Sequence, residues 1–168
     1  MTPSVNIRLR ALEPEDLELV YRIENDPTFW HFGASTVPYS RYALRQYISS
    51  AQNDIYADGQ VRLVIETDGV AVGLADLTNF DAIHLRAEIG LLILPEYQGK
   101  HIGEAAVIAL CQYARNLHLH QLYANIAVTN EPATRLFERL AFVPSTVLKD
   151  WLRSDDGFTD VRVWQQLL

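Results

Sequence analysis

The chain has 168 residues, 49% apolar and 21% charged, which suits a single domain over residues 1–168 with a sizeable core and excludes a disordered chain. A formal net charge of −7 excludes a general nucleic-acid binder, which needs a basic face, and is compatible with a cationic substrate. Cys111 is the one cysteine, so no internal disulfide forms; without an apolar leader core or a bilayer-spanning apolar run, the sequence reads as cytoplasmic, with no membrane partner.

In chain order, "VNIRLRAL" (5–12) alternates apolar and polar residues and predicts a first strand. Pro14 opens a helix, with Glu13, Glu15 and Asp16 near its positive end, and "NDP" (25–27) stops it. An aromatic loop, "TFWHFGASTVPY", follows, and Ser40 caps a second helix over 41–52. "QVRLVIET", "DG" and "VAVGLADLTNF" predict a hairpin, because Asp-Gly suits a turn in which both central residues have positive φ. A fourth strand over 84–94, a helix over 104–117 and a fifth strand over 121–128 come next. Asn130 caps a helix over 131–140, and "SDDG" joins a last pair of strands. The order implies an α+β fold, mostly antiparallel, with one crossover helix and a partly parallel centre.

The stretch "LPEYQGKHIGEAAV" (94–107) runs from strand through a glycine-bearing turn into a helix. The first amides of a helix lack partners inside it, and the helix dipole makes that end partly positive. Gly99 and Gly103 keep side chains away from an anion there, and Gln98 and Lys100 add donors. Neither G-x-x-x-x-G-K-[ST] nor G-x-G-x-x-G occurs. Taken alone, these residues fit a tight turn as well as a pyrophosphate cradle.

A wider match tips the balance. "AEIGLLILPEYQGKHIGEAAV" resembles motif A of the GCN5-related N-acetyltransferases, whose loop usually reads Q/R-x-x-G-x-G/A; Gln98, Gly99, Lys100, His101, Ile102 and Gly103 occupy it. "VTNEPATRLFERLAF" (128–142) resembles their motif B, with Asn130, Leu136, Phe137, Leu140 and Phe142 in frame. "IRLRALEPEDLELVYRIENDP" is similar to the opening of the subgroup of spermidine and ribosomal-protein N-terminal acetyltransferases. The resemblance implies a central twisted, mostly antiparallel sheet of about seven strands with about four helices, its parallel fourth and fifth strands splayed apart. It also implies acetyl-CoA as donor and no metal. The pyrophosphate would lie on the loop from Gln98 to Glu104, with pantetheine along Leu92, Ile93 and Leu94, and with Asn130 and Phe137 beside the cofactor. The acceptor would be a small amine, a polyamine-like molecule or a protein N-terminal amine, acetylated by direct attack in a ternary complex.

Two positions depart from the family pattern. His101 replaces its first glycine, so anion binding is expected to hold if the backbone there avoids positive φ. Phe137 replaces the tyrosine that the family uses as an acid toward the departing thiolate; Tyr97, Tyr123 or a water would substitute. A primary alkylamine, with a pKa of about 10.4, is roughly one part in 10³ neutral at pH 7, so a base matters more for it than for an α-amine near 8. Glu88 is the candidate base; its structural alternative is an ion pair with Arg86 or Arg62. Trp30, His31 and Tyr39, with Phe29 and Phe32, are candidates for the acceptor wall or for plain packing. The loop "GASTVPY" lacks the acidic pair that spermidine enzymes carry there. Cys111 reads as core, and His118 and His120 as cover for a helix end rather than metal ligands. Trp151 and Trp164 on the last hairpin suggest a homodimer. The alternative function is an acyl-CoA-binding module that has lost turnover.

Overall fold

The computed structural model describes residues 5–30 and 37–168, with the backbone alone for Trp30. Seven strands form one sheet: β1 (Arg8–Ala11), β2 (Val61–Thr67), β3 (Val70–Asp81), β4 (Arg86–Ile93), β5 (Gln121–Ala127), β6 (Val143–Ser154) and β7 (Gly157–Leu167). Their order is β1-β2-β3-β4-β5-β7-β6, and every neighbouring pair is antiparallel except β4 with β5. Six helices accompany them among the described residues: α1 (Leu17–Asn25), α2 (Pro27–Trp30), α3 (Arg41–Ser50), α4 (Ile55–Asp58), α5 (Ile102–Asn116) and α6 (Glu131–Arg139). The sequence reading missed α2 and α4. Each is a single turn, too short to show a helical period, and α4 owes its start to Asp54, which accepts from the Tyr56 amide.

Local chemistry explains the joints. Ser40 accepts from the Ala43 amide at 3.1 Å, and Asn130 from the Ala133 amide at 3.2 Å, so α3 and α6 begin where predicted. Asp68 and Gly69 have φ of 50° and 76°, as the β2–β3 turn requires. Pro14 opens a 3-10 turn, Pro14–Asp16, that leads into α1. There the Asp16 carboxylate accepts from the Glu13 amide at 2.8 Å and from Arg10 at 2.7 and 2.9 Å, tying α1 to β1.

Period-two alternation gives the sheet two covered faces. Val61, Leu63, Ile65, Val72, Ala75, Ala87, Ile89 and Leu122 face α5, whose Ala106, Val107, Leu110, Cys111 and Ala114 are buried against them. Val64, Leu74, Leu92 and Leu94 face α1 and α3 through Val20, Ile23, Leu44 and Ile48. Of the two tryptophans on the last hairpin, Trp164 offers no surface to a second copy. It is 1% exposed and packs in the α5-side core, because β7 lies inside the sheet between β5 and β6; Trp151, on the edge strand, is 57% exposed. The end of α5 is closed by a Schellman pattern: His118, at φ 61°, donates its amide to Arg115, and Leu119 donates to Ala114. His118 thus covers the helix end through its backbone.

Candidate active site

The site begins where β4 and β5 part. They pair only from Arg86–Gln121 to Glu88–Tyr123, after which β4 runs on to Ile93 beside β3 alone. The Ile89–Ile93 stretch, roughly 16 Å long at the rise of a strand, therefore shows a free edge. The Leu94 amide donates to Val72 of β3 at 2.9 Å, and the Leu85 carbonyl accepts from β5, so alternation turns Leu91 and Ile93 toward the opening. Of the three residues expected along a ligand here, Ile93 presents its backbone to the gap, and the Leu94 amide is engaged elsewhere. Gln98 braces this end by donating its side-chain amide to the Ile93 carbonyl at 2.9 Å.

The 3-10 turn Pro95–Tyr97 carries the chain from β4 to the start of α5. The amides of Gly99, Lys100, His101, Ile102, Gly103 and Glu104 find no acceptor among the described residues; the first α5 bond runs from the Ala105 amide to the His101 carbonyl at 3.2 Å. Gly99 has φ 72° and His101 φ 60°. Left-handed residues in such a run turn successive N–H groups inward as an anion-binding nest. The condition set for His101, a backbone that avoids positive φ, is not met: the residue is left-handed, and its amide still stands without an acceptor among the described residues. Histidine is among the residues enriched in that region, which makes the strain bearable. The His101 imidazole lies 3.5 Å from Glu104, which also lies 3.9 Å from Arg139 of α6. Lys100 Nζ lies 5.2 Å from the centre of the Tyr97 ring.

The two glycines serve different ends. A Cβ on Gly99 would meet nothing within 4 Å, so its need for glycine is conformational. A Cβ on Gly103 would touch Leu91 and Leu136 at 3.5 and 3.6 Å, ordinary contact that packing tolerates.

At the closed end of the wedge stands Glu88. Its carboxylate accepts from Asn79 Nδ2 at 2.8 Å on one oxygen and from Asn125 Nδ2 at 3.0 Å on the other. Neither arginine of the structural alternative takes it: Arg86 pairs with Asp81, and Arg62 with Asp76 and Glu24. Asn79 reaches Glu88 because the β3–β4 register shifts between Thr78 and Asp81, and Asn79 itself has φ 49°. Asn125 lies two residues beyond Tyr123, the parallel partner of Glu88. Both asparagines went unnoticed in the sequence, since neither lies within a helical or strand step of Glu88.

Tyr123 stands beside Glu88. Burial, and then the Glu88 charge, push its hydroxyl pKa up, so the phenol stays protonated. Tyr97 sits at the other end of the wedge, next to the amide loop. Phe137 lies in the core, edge-on to Phe142 with ring centres 4.8 Å apart. Asn130 acts as the α6 cap. Tyr39 is 38% exposed, and its backbone is held on both sides by the Asn25 side chain, at 2.7 and 3.0 Å. His31 and Phe32 lie outside the described residues, as does the Trp30 side chain. No group of histidine, cysteine or carboxylate side chains among the described residues is arranged to hold a metal, and no described helix is long and apolar enough to cross a membrane.

Known proteins are similar to this chain in sequence and in fold. A model of the acetyltransferase (GNAT) domain matches residues 6–143. Spermidine N(1)-acetyltransferase of Escherichia coli K12 is 31% identical over 84% of this chain and 75% of its own length. The putative ribosomal N-acetyltransferase YdaF of Bacillus subtilis is 33% identical over 88% of this chain and 83% of its own. The crystal structure of spermidine N-acetyltransferase from Vibrio cholerae with CoA and spermine superposes with a TM-score of 0.86 at 27% identity, covering 96% of this chain and 95% of that one.

Proposed function

The chain belongs to the GNAT family of acetyltransferases, and on that premise we propose that it moves the acetyl group of acetyl-CoA to a primary amine by direct attack in a ternary complex. The observation that carries this reading is the row of unengaged amides from Gly99 to Glu104, set at the mouth of a wedge whose free strand edge leads to Glu88. Amides at a helix start suit a pyrophosphate, and a bare strand edge suits an amide-bearing pantetheine arm laid along it as an extra strand. Lys100 and Arg139 bring positive charge to the mouth. Acetyl-CoA supplies the activated acyl group; the chain supplies orientation and proton handling.

Glu88 receives the acceptor. Asn79 and Asn125 hold both its oxygens by neutral donors, which fix the carboxylate without satisfying its charge. An ammonium drawn there loses its proton toward Glu88, directly or through a water, and attacks as the neutral amine. An amide of the open β4 edge, Leu91 or Ile93, stabilises the oxyanion. Tyr123, kept protonated at the same end of the wedge, takes the place of the missing motif-B tyrosine as donor to the departing thiolate. The matched relatives bear the names of transferases, and nothing in them favours the non-catalytic module.

Purified protein incubated with acetyl-CoA and an amine panel, with free thiol followed over time, tests the reading. Acceptor-dependent thiol release supports it. Binding of acetyl-CoA with no release for any amine would return the non-catalytic alternative.

A further inference from the structure

Asn79 stands at an irregularity in β3. Thr78 pairs with Glu88 and Asp81 with Arg86, so Asn79 and Phe80 together face Ala87 across the ladder, one residue more than a regular pairing holds. Phe80 packs against the α5-side core. Asn79 is exposed, and its side chain reaches the opposite face, where Glu88 stands. Parity puts Tyr123 and Asn125 on that face too, because Leu122, Ala124 and Ile126 are buried in the α5-side core.

Two demands meet at position 79. The backbone has φ 49°, in a region that glycine, asparagine and aspartate enter most readily. The side chain donates Nδ2 to a Glu88 oxygen at 2.8 Å. Glycine would donate nothing, and aspartate would set a like charge against Glu88. Asparagine meets both demands. The same side chain hydrogen-bonds the Tyr123 hydroxyl, where it acts against the upward push of burial and of the Glu88 charge. An amide nitrogen carries two protons, so one Asn79 can serve both oxygens.

We propose that Asn79 is a positioning residue for acetyl transfer: its one amide ties the Glu88 carboxylate to the Tyr123 hydroxyl and holds base and acid in a single geometry. The proposal rests on Glu88 and Tyr123 filling those roles, as argued above. Asn125 donates to the other Glu88 oxygen at 3.0 Å and steadies the carboxylate without joining it to the phenol. A misplacement of about 1 Å at a reacting centre costs roughly 10²-fold in rate, so a shared brace for two proton-handling groups has a large effect to exert.

The test is kcat and KM for an alkylamine across pH, by thiol release, with urea titrations to show that each variant folds. Asn79→Gly keeps the left-handed backbone and removes the donor; Asn79→Asp keeps backbone and shape and adds a charge. Asn79→Gly should lower kcat about ten-fold or more, with KM within about three-fold. A carboxylate that loses a donor or gains a like charge holds its proton more tightly. The acid limb of kcat/KM should therefore move to higher pH in both variants, by about one unit or more for Asn79→Asp. The other ionisable groups on this face, Arg62 with Asp76 and Glu24, Tyr47, and Arg86 with Asp81, are the same in every variant. In a double-mutant cycle, Asn79→Gly should cost at least about three-fold less when Tyr123→Phe is already present, whereas Asn125→Ala should cost the same with or without the phenol. An acid limb unmoved in the folded Asn79 variants, or losses that simply multiply with Tyr123→Phe, overturns the proposal. Failure of both Asn79 variants to fold overturns it too, as the mark of a purely structural residue. Glu88→Gln or Tyr123→Phe with turnover intact strikes instead at the assignment of base and acid, and takes this proposal with it.

Discussion

Replacing Gly99 and Gly103 by alanine, one at a time, should move stability in opposite directions although the two flank the same helix start. At Gly99 the backbone sits at φ 72° and an added methyl touches nothing within 4 Å, so strain alone decides. A left-handed L-residue costs about 1–2 kcal/mol, and the stiffer unfolded chain returns about 0.4–1, leaving a loss near 1 kcal/mol. At Gly103 the methyl meets Leu91 and Leu136 at ordinary contact, inside the first turn of α5. Relief of a helical glycine and burial of a methyl predict a gain of about 0.5–1 kcal/mol. The two variants should differ by roughly 1.5–2 kcal/mol, or about 3–8 °C in Tm for a chain of this size. Urea titrations with unchanged m-values measure the difference, and calorimetry with CoA adds a second reading. Gly99→Ala strains the left-handed backbone that carries the free amides and should weaken binding; Gly103→Ala points its methyl at Leu91 and Leu136 and should not. Equal destabilisation by both, or the reverse order, would refute the account of the loop.

Glu88→Gln should fold normally and lower kcat/KM for an alkylamine by about 10²–10⁴, the range of general acid–base catalysis, as read by thiol release. For Asp16, burial raises the carboxyl pKa, but Arg10 and the Glu13 amide together hold it below the ordinary value. A depressed folded pKa means stability that is complete above the unfolded carboxylate range, near 3.9, and lost as pH falls through the lower folded value. Asp16→Asn should therefore cost on the order of 2 kcal/mol at pH 7 and flatten the acid limb of a urea-stability profile. Burial pushes the Cys111 thiol up to about 11, so it should resist a thiol reagent at pH 8 and react only as fast as the protein opens.

Much of the architecture could be read from residues that act locally. Asp68-Gly69, Ser40 and Asn130 each fix a turn or a helix start through their own backbone neighbours, and the structure has them doing so. What escaped the sequence is non-local. Alternation marks two faces on β7 but not that a sheet neighbour on either side leaves Trp164 no solvent. Arg86, two residues from Glu88, looked like its partner; a register shift in β3 and the parallel start of β5 bring two asparagines instead. At His101 local preference argues against positive φ, yet the join of Gly99 to α5 requires it. The outline of the amide loop was legible because glycine and helix-start signals are written in consecutive residues. The clamp on Glu88 was not, because its parts come from three strands.

The account turns on whether the amides from Gly99 to Glu104 grip the pyrophosphate. Calorimetric titration with acetyl-CoA and, separately, with S-acetylpantetheine, which keeps the thioester arm and lacks the pyrophosphate and nucleotide, asks this directly. The account predicts one acetyl-CoA site per chain and at least a hundred-fold weaker uptake of the truncated thioester. Equal affinity for the two, or no uptake of acetyl-CoA at millimolar concentration by folded protein, would contradict it.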